Sequence, residues 1–85
     1  MPYFLYILQS PVNLKFYVGS SKDPERRLLY HNSIEKGFTA RYRPWNLVFV
    51  KEFPSKYLAQ KAERKIKSWK STLMIQRLIH GEITL

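Results

Sequence analysis

The chain has 85 residues, of which 15 are Lys or Arg and 6 are Asp or Glu, and its formal net charge is +9. It contains no cysteine, which excludes disulfide bonds, cysteine-based zinc sites and a cysteine nucleophile. This length predicts one small domain over residues 1–85. The charge favours a polyanionic partner, nucleic acid first and an acidic membrane surface second.

The start of the chain has the pattern of neither a membrane span nor a secretory signal. Its longest apolar stretch, Tyr3 to Leu8, is far too short to cross a bilayer, and no basic region precedes an apolar segment with a cleavage site. We therefore expect a soluble cytoplasmic protein with no membrane partner. The 5 Phe, 6 Tyr and 2 Trp residues can fill a small core. A monomer or a weak dimer is the expected state.

The first part of the chain predicts a β-hairpin. Tyr3 to Leu8 is apolar on both alternating faces, which is typical of a strand that is covered on both sides or lies centrally. Turn residues follow at Ser10 to Asn13, and a second β-prone run extends from Leu14 to Gly19. So short a connection implies an antiparallel pair.

Helix signals come next. Asp23-Pro24-Glu25 is typical of a helix start, and the helix should run to about Ile34 or Glu35, with Gly37 just beyond as a stop. An aromatic, basic loop is expected from Phe38 to Pro44, followed by a third strand from Asn46 to Phe53.

Two more helices complete the pattern. Ser55 is the expected cap of a long helix, and a shorter helix should run from about Ser71 to His80 and end at Gly81. The order β-β-α-β-α-α predicts an α+β fold, a small three-stranded, mainly antiparallel sheet flanked by helices. The apolar stripe of the long helix has helical spacing and consists of Leu58, Ala59, Ala62, Ile66 and Trp69.

Two tyrosines share one face of the predicted hairpin. Tyr6 lies on the strand face of Phe4 and Leu8, and Tyr17 lies on the face of Gly19. Pairing of the strands would make the phenols neighbours, and a phenol can move the proton of an attacking water. The ordinary explanation is two core aromatics whose hydroxyls reach a rim. Gly19 either lets a phosphate approach the backbone or is a plain turn glycine.

Arg27 and His31 are four residues apart on the predicted helix and therefore share a face. A guanidinium can neutralise charge that grows on a phosphate, and an imidazole can carry a proton. The ordinary explanation is a solvated Asp23–Arg27 pair beside a surface histidine. Leu28 lies next to this row, which favours a position at the wall of a cleft.

Glu63 is an isolated carboxylate on a helix that is otherwise basic. Because it follows Ala59 by four residues and precedes Ile66 by three, it borders the apolar stripe. A lone carboxylate of this kind can seat a divalent ion that keeps most of its waters. The ordinary explanation is a surface acid paired with Lys67 at i+4.

A second group of residues is typical of nucleic-acid contacts. Arg41 and Arg43 alternate with Tyr42 and Trp45, which suggests phosphate contacts with base stacking. The ordinary explanation is a basic loop whose two aromatic rings pack inward. Lys22, soon after Gly19, is a further candidate for a phosphate contact.

The joint order and spacing of these groups resembles the GIY-YIG nuclease superfamily. Phe4-Leu5-Tyr6 stands at the first motif, with phenylalanine in place of its leading glycine, and Tyr17-Val18-Gly19 closely matches the second. Arg27 falls at the catalytic arginine, and His31 at a position held by His or Tyr. Glu63 matches the metal-binding glutamate of the later helix.

Within that superfamily the chain is most similar to the short, stand-alone bacterial members of excinuclease-like type. Their Asp-Pro-Glu-Arg-Arg and His-Asn stretches look like Asp23 to Arg27 and His31-Asn32. Ser20 stands where some relatives have a lysine near the phosphate. Members of the superfamily include homing endonucleases and the incision enzyme of bacterial nucleotide excision repair. Several carry separate domains that bind DNA or a partner protein.

The resemblance implies an endonuclease that hydrolyses phosphodiester bonds in DNA or structured nucleic acid, with Mg²⁺ or Mn²⁺ on Glu63. Arg27 would stabilise charge on the phosphate, and Tyr6, Tyr17 or His31 would handle the proton of the attacking water. Two other hypotheses stay open. The chain could bind nucleic acid without cutting it, or it could act only with a protein partner that targets it.

Overall fold

The computed structural model describes residues 2–33 and 42–85. Within these ranges the elements follow the predicted order β-β-α-β-α-α. They are β1 (Tyr3–Gln9), β2 (Phe16–Ser21), α1 (Pro24–Ser33), β3 (Asn46–Phe53), α2 (Lys56–Trp69) and α3 (Thr72–Ile79). The expected end of the first helix, its stop at Gly37 and the loop from Phe38 to Arg41 lie outside the described residues.

The three strands form one sheet in the order β2-β1-β3, and both neighbouring pairs are antiparallel. The sheet confirms the predicted fold class, and the run that is apolar on both faces is the central strand. Residues 5–8 of β1 are each at most 1% exposed, because helices cover both faces of the sheet here.

The alternation of β1 divides the core into two clusters. Leu5 and Ile7 face α2 and α3, where they pack with Val18, Ala62, Ile66 and Leu78. Tyr6 and Leu8 face the opposite side, towards α1, and pack with Trp45. The first face is therefore an aliphatic core, whereas the second contains the two candidate tyrosines, Tyr6 and Tyr17.

The second strand is displaced from its predicted position. Leu14 has a left-handed φ of 61° and a side chain that is 65% exposed, so it belongs to the turn. Its backbone N–H donates to the carbonyl of Ser10 over 2.8 Å and closes that turn. The strand then starts at Phe16 and continues through Gly19 to Ser21.

The helix caps follow the sequence signals. The Ser55 and Ser71 side chains accept hydrogen bonds from the backbone N–H groups of Leu58 and Met74, which cap α2 and α3. Leu58 departs from the predicted stripe because its side chain is 39% exposed. No helix in residues 2–33 or 42–85 is both long enough and apolar enough to cross a membrane.

Candidate nuclease site at the end of β2

The buried centre of the site is a hydrogen bond between Tyr6 and His31. The Tyr6 hydroxyl lies 3.0 Å from Nε2 of His31, and each residue is only 1% exposed. β1 supplies the phenol and the last described turn of α1 supplies the imidazole. The ordinary explanation of His31 as a surface residue is therefore wrong.

Arg27 joins this pair from one turn earlier on α1. Burial raises the pKa of Tyr6 to about 12, while a hydrogen bond from Arg27 and its positive charge act in the opposite direction. The guanidinium also lies over the ring of Tyr30, with Cζ 4.6 Å from the ring centroid. These contacts place a fixed positive charge beside the buried phenol.

The hydrogen-bonding capacities of the three side chains assign the proton positions. A guanidinium only donates, so the Tyr6 oxygen accepts from Arg27. With a pKa of about 12, the phenol keeps its hydrogen at neutral pH and can donate it to Nε2 of His31. In that arrangement Nε2 of His31 is the acceptor of the bond.

Tyr17 is the half-buried neighbour of this pair. Its ring centroid lies 4.7 Å from that of His31 and 6.5 Å from that of Tyr6. Trp45 meets the Tyr17 ring edge-on, with 6.3 Å between the centroids. The structure thus brings both predicted phenols and the imidazole into one aromatic cluster, whose packing restricts the imidazole plane.

Gly19 lies opposite Tyr6 in the β1–β2 ladder, and the phenol covers its α-carbon. A Cβ at this position would lie 2.6 Å from the Tyr6 hydroxyl oxygen and 2.7 Å from Cζ. The glycine therefore has a packing role, because any side chain would displace the phenol. Its contact with a phosphate stays a prediction.

Glu63 approaches the site from α2, on the other face of the sheet. Its Oε1 accepts a 2.7 Å hydrogen bond from the Ser20 hydroxyl, and its Oε2 lies 2.6 Å from Nζ of Lys67. Burial is the main cause of the raised pKa of Tyr6, and the negative charge of Glu63 raises this pKa further. The site consequently wraps around the end of edge strand β2, with Arg27 and Glu63 coming from opposite faces.

Ser20 is a further residue of the site, and from the sequence it was only the position where some relatives have a lysine. Successive positions of a strand alternate between the two faces of the sheet, so Ser20 lies on the opposite face from Gly19 and Ser21. This alternation could have identified Ser20 as a site residue from the sequence, because it directs the side chain towards α2 and Glu63. The ion pair between Glu63 and Lys67, which was the ordinary explanation of Glu63, is also present. The carboxylate therefore contacts Ser20 and Lys67 at the same time.

The donor set around Glu63 fits a hard divalent cation. Carboxylate and hydroxyl oxygens are the ligands that Mg²⁺ and Mn²⁺ prefer, and Mg²⁺ commonly uses one or two carboxylates together with waters and substrate phosphates. Residues 2–33 and 42–85 contain no cluster of three or more His, Cys, Asp or Glu side chains that could form a closed cage. Glu63, with Ser20 orienting it, is therefore the residue suited to hold such an ion.

Basic side chains line a depression of about 380 Å³ beside Arg27. Lys22 and Arg26 contribute to its wall together with Tyr30 and Asp23. Asp23 also accepts a hydrogen bond from the backbone N–H of Arg26 and so caps α1. This surface places the predicted phosphate contact Lys22 next to the candidate catalytic arginine.

The loop before β3 packs inward onto α1. Trp45 is 1% exposed, so the expectation that it stacks on a base is wrong. Its backbone N–H donates to Oδ1 of Asn32, and its carbonyl accepts from Nδ2 of the same side chain. Nε of Arg43 donates to the His31 carbonyl over 2.7 Å, which makes Arg43 part of the support of the site. Arg41 lies outside the described residues.

Known proteins resemble this chain in sequence and in fold. The family model described as GIY-YIG catalytic domain matches residues 2–77. A UPF0213 protein from Bacillus halodurans, solved by solution NMR, superposes with a TM-score of 0.60 and 30% identity, covering 94% of this chain and 84% of that one.

Curated fungal proteins are more similar in sequence but much longer. The structure-specific endonuclease subunit slx1 of Neurospora crassa is 44% identical over 72% of this chain and 17% of its own length. The subunit SLX1 of Scheffersomyces stipitis is 39% identical over 88% of this chain and 25% of its own length. The chain thus spans a quarter or less of these two relatives. On the match of residues 2–77 and the shared fold, it belongs to the family of GIY-YIG catalytic domains.

Proposed function

We propose that this chain is a divalent-metal-dependent endonuclease that hydrolyses phosphodiester bonds in DNA or structured nucleic acid. The observation that carries the proposal is the convergence of Tyr6, Arg27, His31 and Glu63 around the end of β2. The names of the fungal relatives, which are endonuclease subunits, support it. Mg²⁺ or Mn²⁺ on Glu63 would supply Lewis-acid stabilisation of a phosphate oxygen.

Arg27 is the residue that binds the reacting phosphate in this proposal. Tyr30 and Tyr6 hold its guanidinium, and the basic depression with Lys22 continues from it. Charge grows on the phosphate oxygens as water adds to phosphorus, and a fixed guanidinium stabilises that charge without reorganising. Lys22 binds a neighbouring phosphate and adds affinity that is independent of base sequence.

Tyr6 and His31 act together on the attacking water. A phenol with a pKa of about 12 does not act as a phenolate at neutral pH. It can, however, accept the proton of the water while it passes its own hydrogen to Nε2 of His31, which lies 3.0 Å away. The water oxygen then bonds to phosphorus, the opposite P–O ester bond breaks, and the leaving oxygen takes up a proton from solvent to give a hydroxyl end. Tyr17 is a positioning residue that holds the imidazole by ring packing.

The test is cleavage of a labelled panel of duplex, branched and single-stranded DNA and RNA in Mg²⁺, Mn²⁺ or EDTA. Arg27→Ala should lower the single-turnover rate by about 10²–10³, as loss of a charge-stabilising donor does elsewhere. Arg77→Ala is the matched control, because Arg77 is an exposed arginine on α3 that does not line the basic depression. Equal rates for the two variants, or no metal-dependent cleavage by the wild type, would overturn the proposal.

Binding without cleavage, or activity only with a protein partner, is the second candidate function. The net charge of +9 favours nucleic-acid binding, and the names of the fungal relatives describe them as subunits. This candidate predicts salt-dependent binding that Glu63→Gln leaves unchanged. A cytoplasmic monomer or weak dimer remains our expectation for the state of the chain.

A further inference from the structure

A second cavity, of about 450 Å³, lies on the α2 and α3 side of β2. Its floor is apolar and consists of parts of Phe16, Val18, Ile66 and Ile75. A volume of this size falls within the ~300–1,000 Å³ that is usual for small-molecule and cofactor sites. Phe16 is half-buried, so part of its ring is available at the cavity wall.

The rim of this cavity is basic. Lys67 and Lys70 line it, and none of its lining residues is an Asp or a Glu. Lys15 also contributes to the lining, although its ammonium lies over the ring of Tyr42, 5.3 Å from the centroid. An apolar floor with cations at the rim is complementary to a nucleotide, whose base is flat and apolar on its faces and whose phosphate is anionic.

The cavity adjoins the candidate nuclease site. Tyr17 belongs both to the cavity lining and to the aromatic cluster around His31. Lys67 belongs both to the lining and to the ion pair with Glu63. A strand whose phosphate lies at Glu63 would therefore have its next nucleotide beside this opening.

We propose that this cavity binds one unstacked nucleotide that flanks the cleaved bond, with the base against Phe16 and the phosphate at Lys70. The proposal rests on the proposed nuclease function and adds a subsite to it. Net charge argues for a nucleic-acid occupant, because the whole chain carries +9 and the cavity rim is basic.

The experiment compares two fluorescent single-stranded oligonucleotides by anisotropy in EDTA, where no metal-dependent cleavage occurs. One is oligothymidylate, and the other has the same backbone with abasic sugars, so both carry the same phosphates. The wild type should bind oligothymidylate on the order of tenfold more tightly, since base stacking on aromatic side chains is a major part of single-strand affinity. Phe16→Leu keeps the apolar volume but removes the ring, and it should abolish this difference. Its melting temperature reports whether the fold survives.

Lys70→Asp and Lys65→Glu form a charge-matched pair. Both residues are exposed near the end of α2, but only Lys70 lines the cavity. Lys70 has a left-handed φ of 49°, which aspartate tolerates. Lys70→Asp should weaken binding of both oligonucleotides several-fold more than Lys65→Glu, because only its charge contacts the bound strand.

The outcomes separate the subsite from the nuclease function. If the wild type cleaves nucleic acid but binds oligothymidylate and the abasic oligonucleotide with equal affinity, the subsite proposal is wrong. The proposed nuclease function is then unaffected. Equal effects of Lys70→Asp and Lys65→Glu would also overturn it. Polyglutamate that binds more tightly than oligothymidylate, and loses this affinity in Lys70→Asp, would assign the cavity to an acidic protein partner instead. Absence of both binding and metal-dependent cleavage would overturn the proposed function itself.

Discussion

The Tyr6 hydroxyl and Nε2 of His31 lie 3.0 Å apart, and each of the two residues is only 1% exposed. β1 and α1 contribute one member each, so the bond joins the central strand to the helix that covers it. Within the described residues, no buried side-chain nitrogen or oxygen lacks a hydrogen-bond partner. Loss of either partner would remove this bond from a buried polar atom, so the bond should contribute to stability.

Tyr6→Phe should destabilise the fold and abolish cleavage. The substitution removes the hydroxyl and leaves a buried imidazole nitrogen without this partner, which costs about 1–3 kcal/mol. Urea denaturation measures the free energy of unfolding, with Tyr17→Phe as the control, since that hydroxyl belongs to a half-buried side chain. A smaller loss of stability in Tyr6→Phe than in Tyr17→Phe would contradict the assigned bond.

The buried phenol should also make stability fall at high pH. The folded-state pKa of Tyr6 is about 12 and its usual value is 10.0, so the folded protein holds this proton more tightly than the unfolded chain. The contribution of this proton to the free energy of unfolding is complete below pH 10 and is lost as the pH rises towards 12. At about 1.4 kcal/mol per pKa unit, it amounts to about 3 kcal/mol.

Absorbance at 295 nm measures this titration directly. The wild type should show a late step near pH 12, and Tyr6→Phe should remove that step. Urea titrations between pH 10 and 12 should show the wild type losing its stability advantage over Tyr6→Phe. A late step that persists in Tyr6→Phe would assign the raised pKa to another tyrosine.

Gly19→Ala should disturb the site through Tyr6. The new methyl group would lie 2.6 Å from the phenol oxygen, and the strand around Gly19 is held by pairing with β1, so the ring must move. We expect a loss of about 1–3 kcal/mol, typical of overpacking, together with reduced cleavage. Gly81→Ala is the comparison, because Gly81 has a φ of +78° but nothing within 4 Å of an added Cβ. Its strain should lower stability without changing cleavage by the folded protein.

The sequence predicted the elements that depend on local signals. Continuous apolar runs placed β1 and β3, and Ser55 placed the start of α2 because the capping bond spans only three residues. The start of β2 was wrong, since the left-handed turn at Leu14 depends on closure with Ser10 rather than on β propensity.

The site was predicted as a set of residues but not as a set of contacts. Spacing on α1 placed Arg27 and His31 on one face, yet the burial of His31 depends on packing against β1 from a distant part of the chain. The bond from Ser20 to Glu63 joins residues 43 apart, and no local pattern reports it. Leu58 was wrongly assigned to the apolar stripe of α2, because helical spacing does not show where the contact between the helix and the sheet ends.

Lys67 should compete with a metal ion for Glu63. Nζ lies 2.6 Å from Oε2, and the lysine side chain is 52% exposed, so the pair is solvent-screened and easily opened. Lys67→Met should raise Mn²⁺ affinity a few-fold, since exposed pairs contribute about 0.2–1 kcal/mol. Electron paramagnetic resonance of free Mn²⁺ measures this affinity without nucleic acid. Lys65→Met removes an exposed charge from the same helix and controls for net charge, and an equal increase in both variants would contradict a specific competition.

Glu63 is proposed to belong to one metal-dependent nuclease site with Arg27 and the Tyr6–His31 pair. Single-turnover cleavage in saturating Mg²⁺ by Glu63→Gln and by Glu52→Gln, an exposed carboxylate on β3, tests it most directly. Both variants lose one negative charge, and glutamine at position 63 can still accept from Ser20. Glu63→Gln should lose about 100-fold or more, since second-shell partners of a metal alone cost ~10–100-fold. Glu52→Gln should cut like the wild type, and wild-type cleavage by a folded Glu63→Gln would contradict the account.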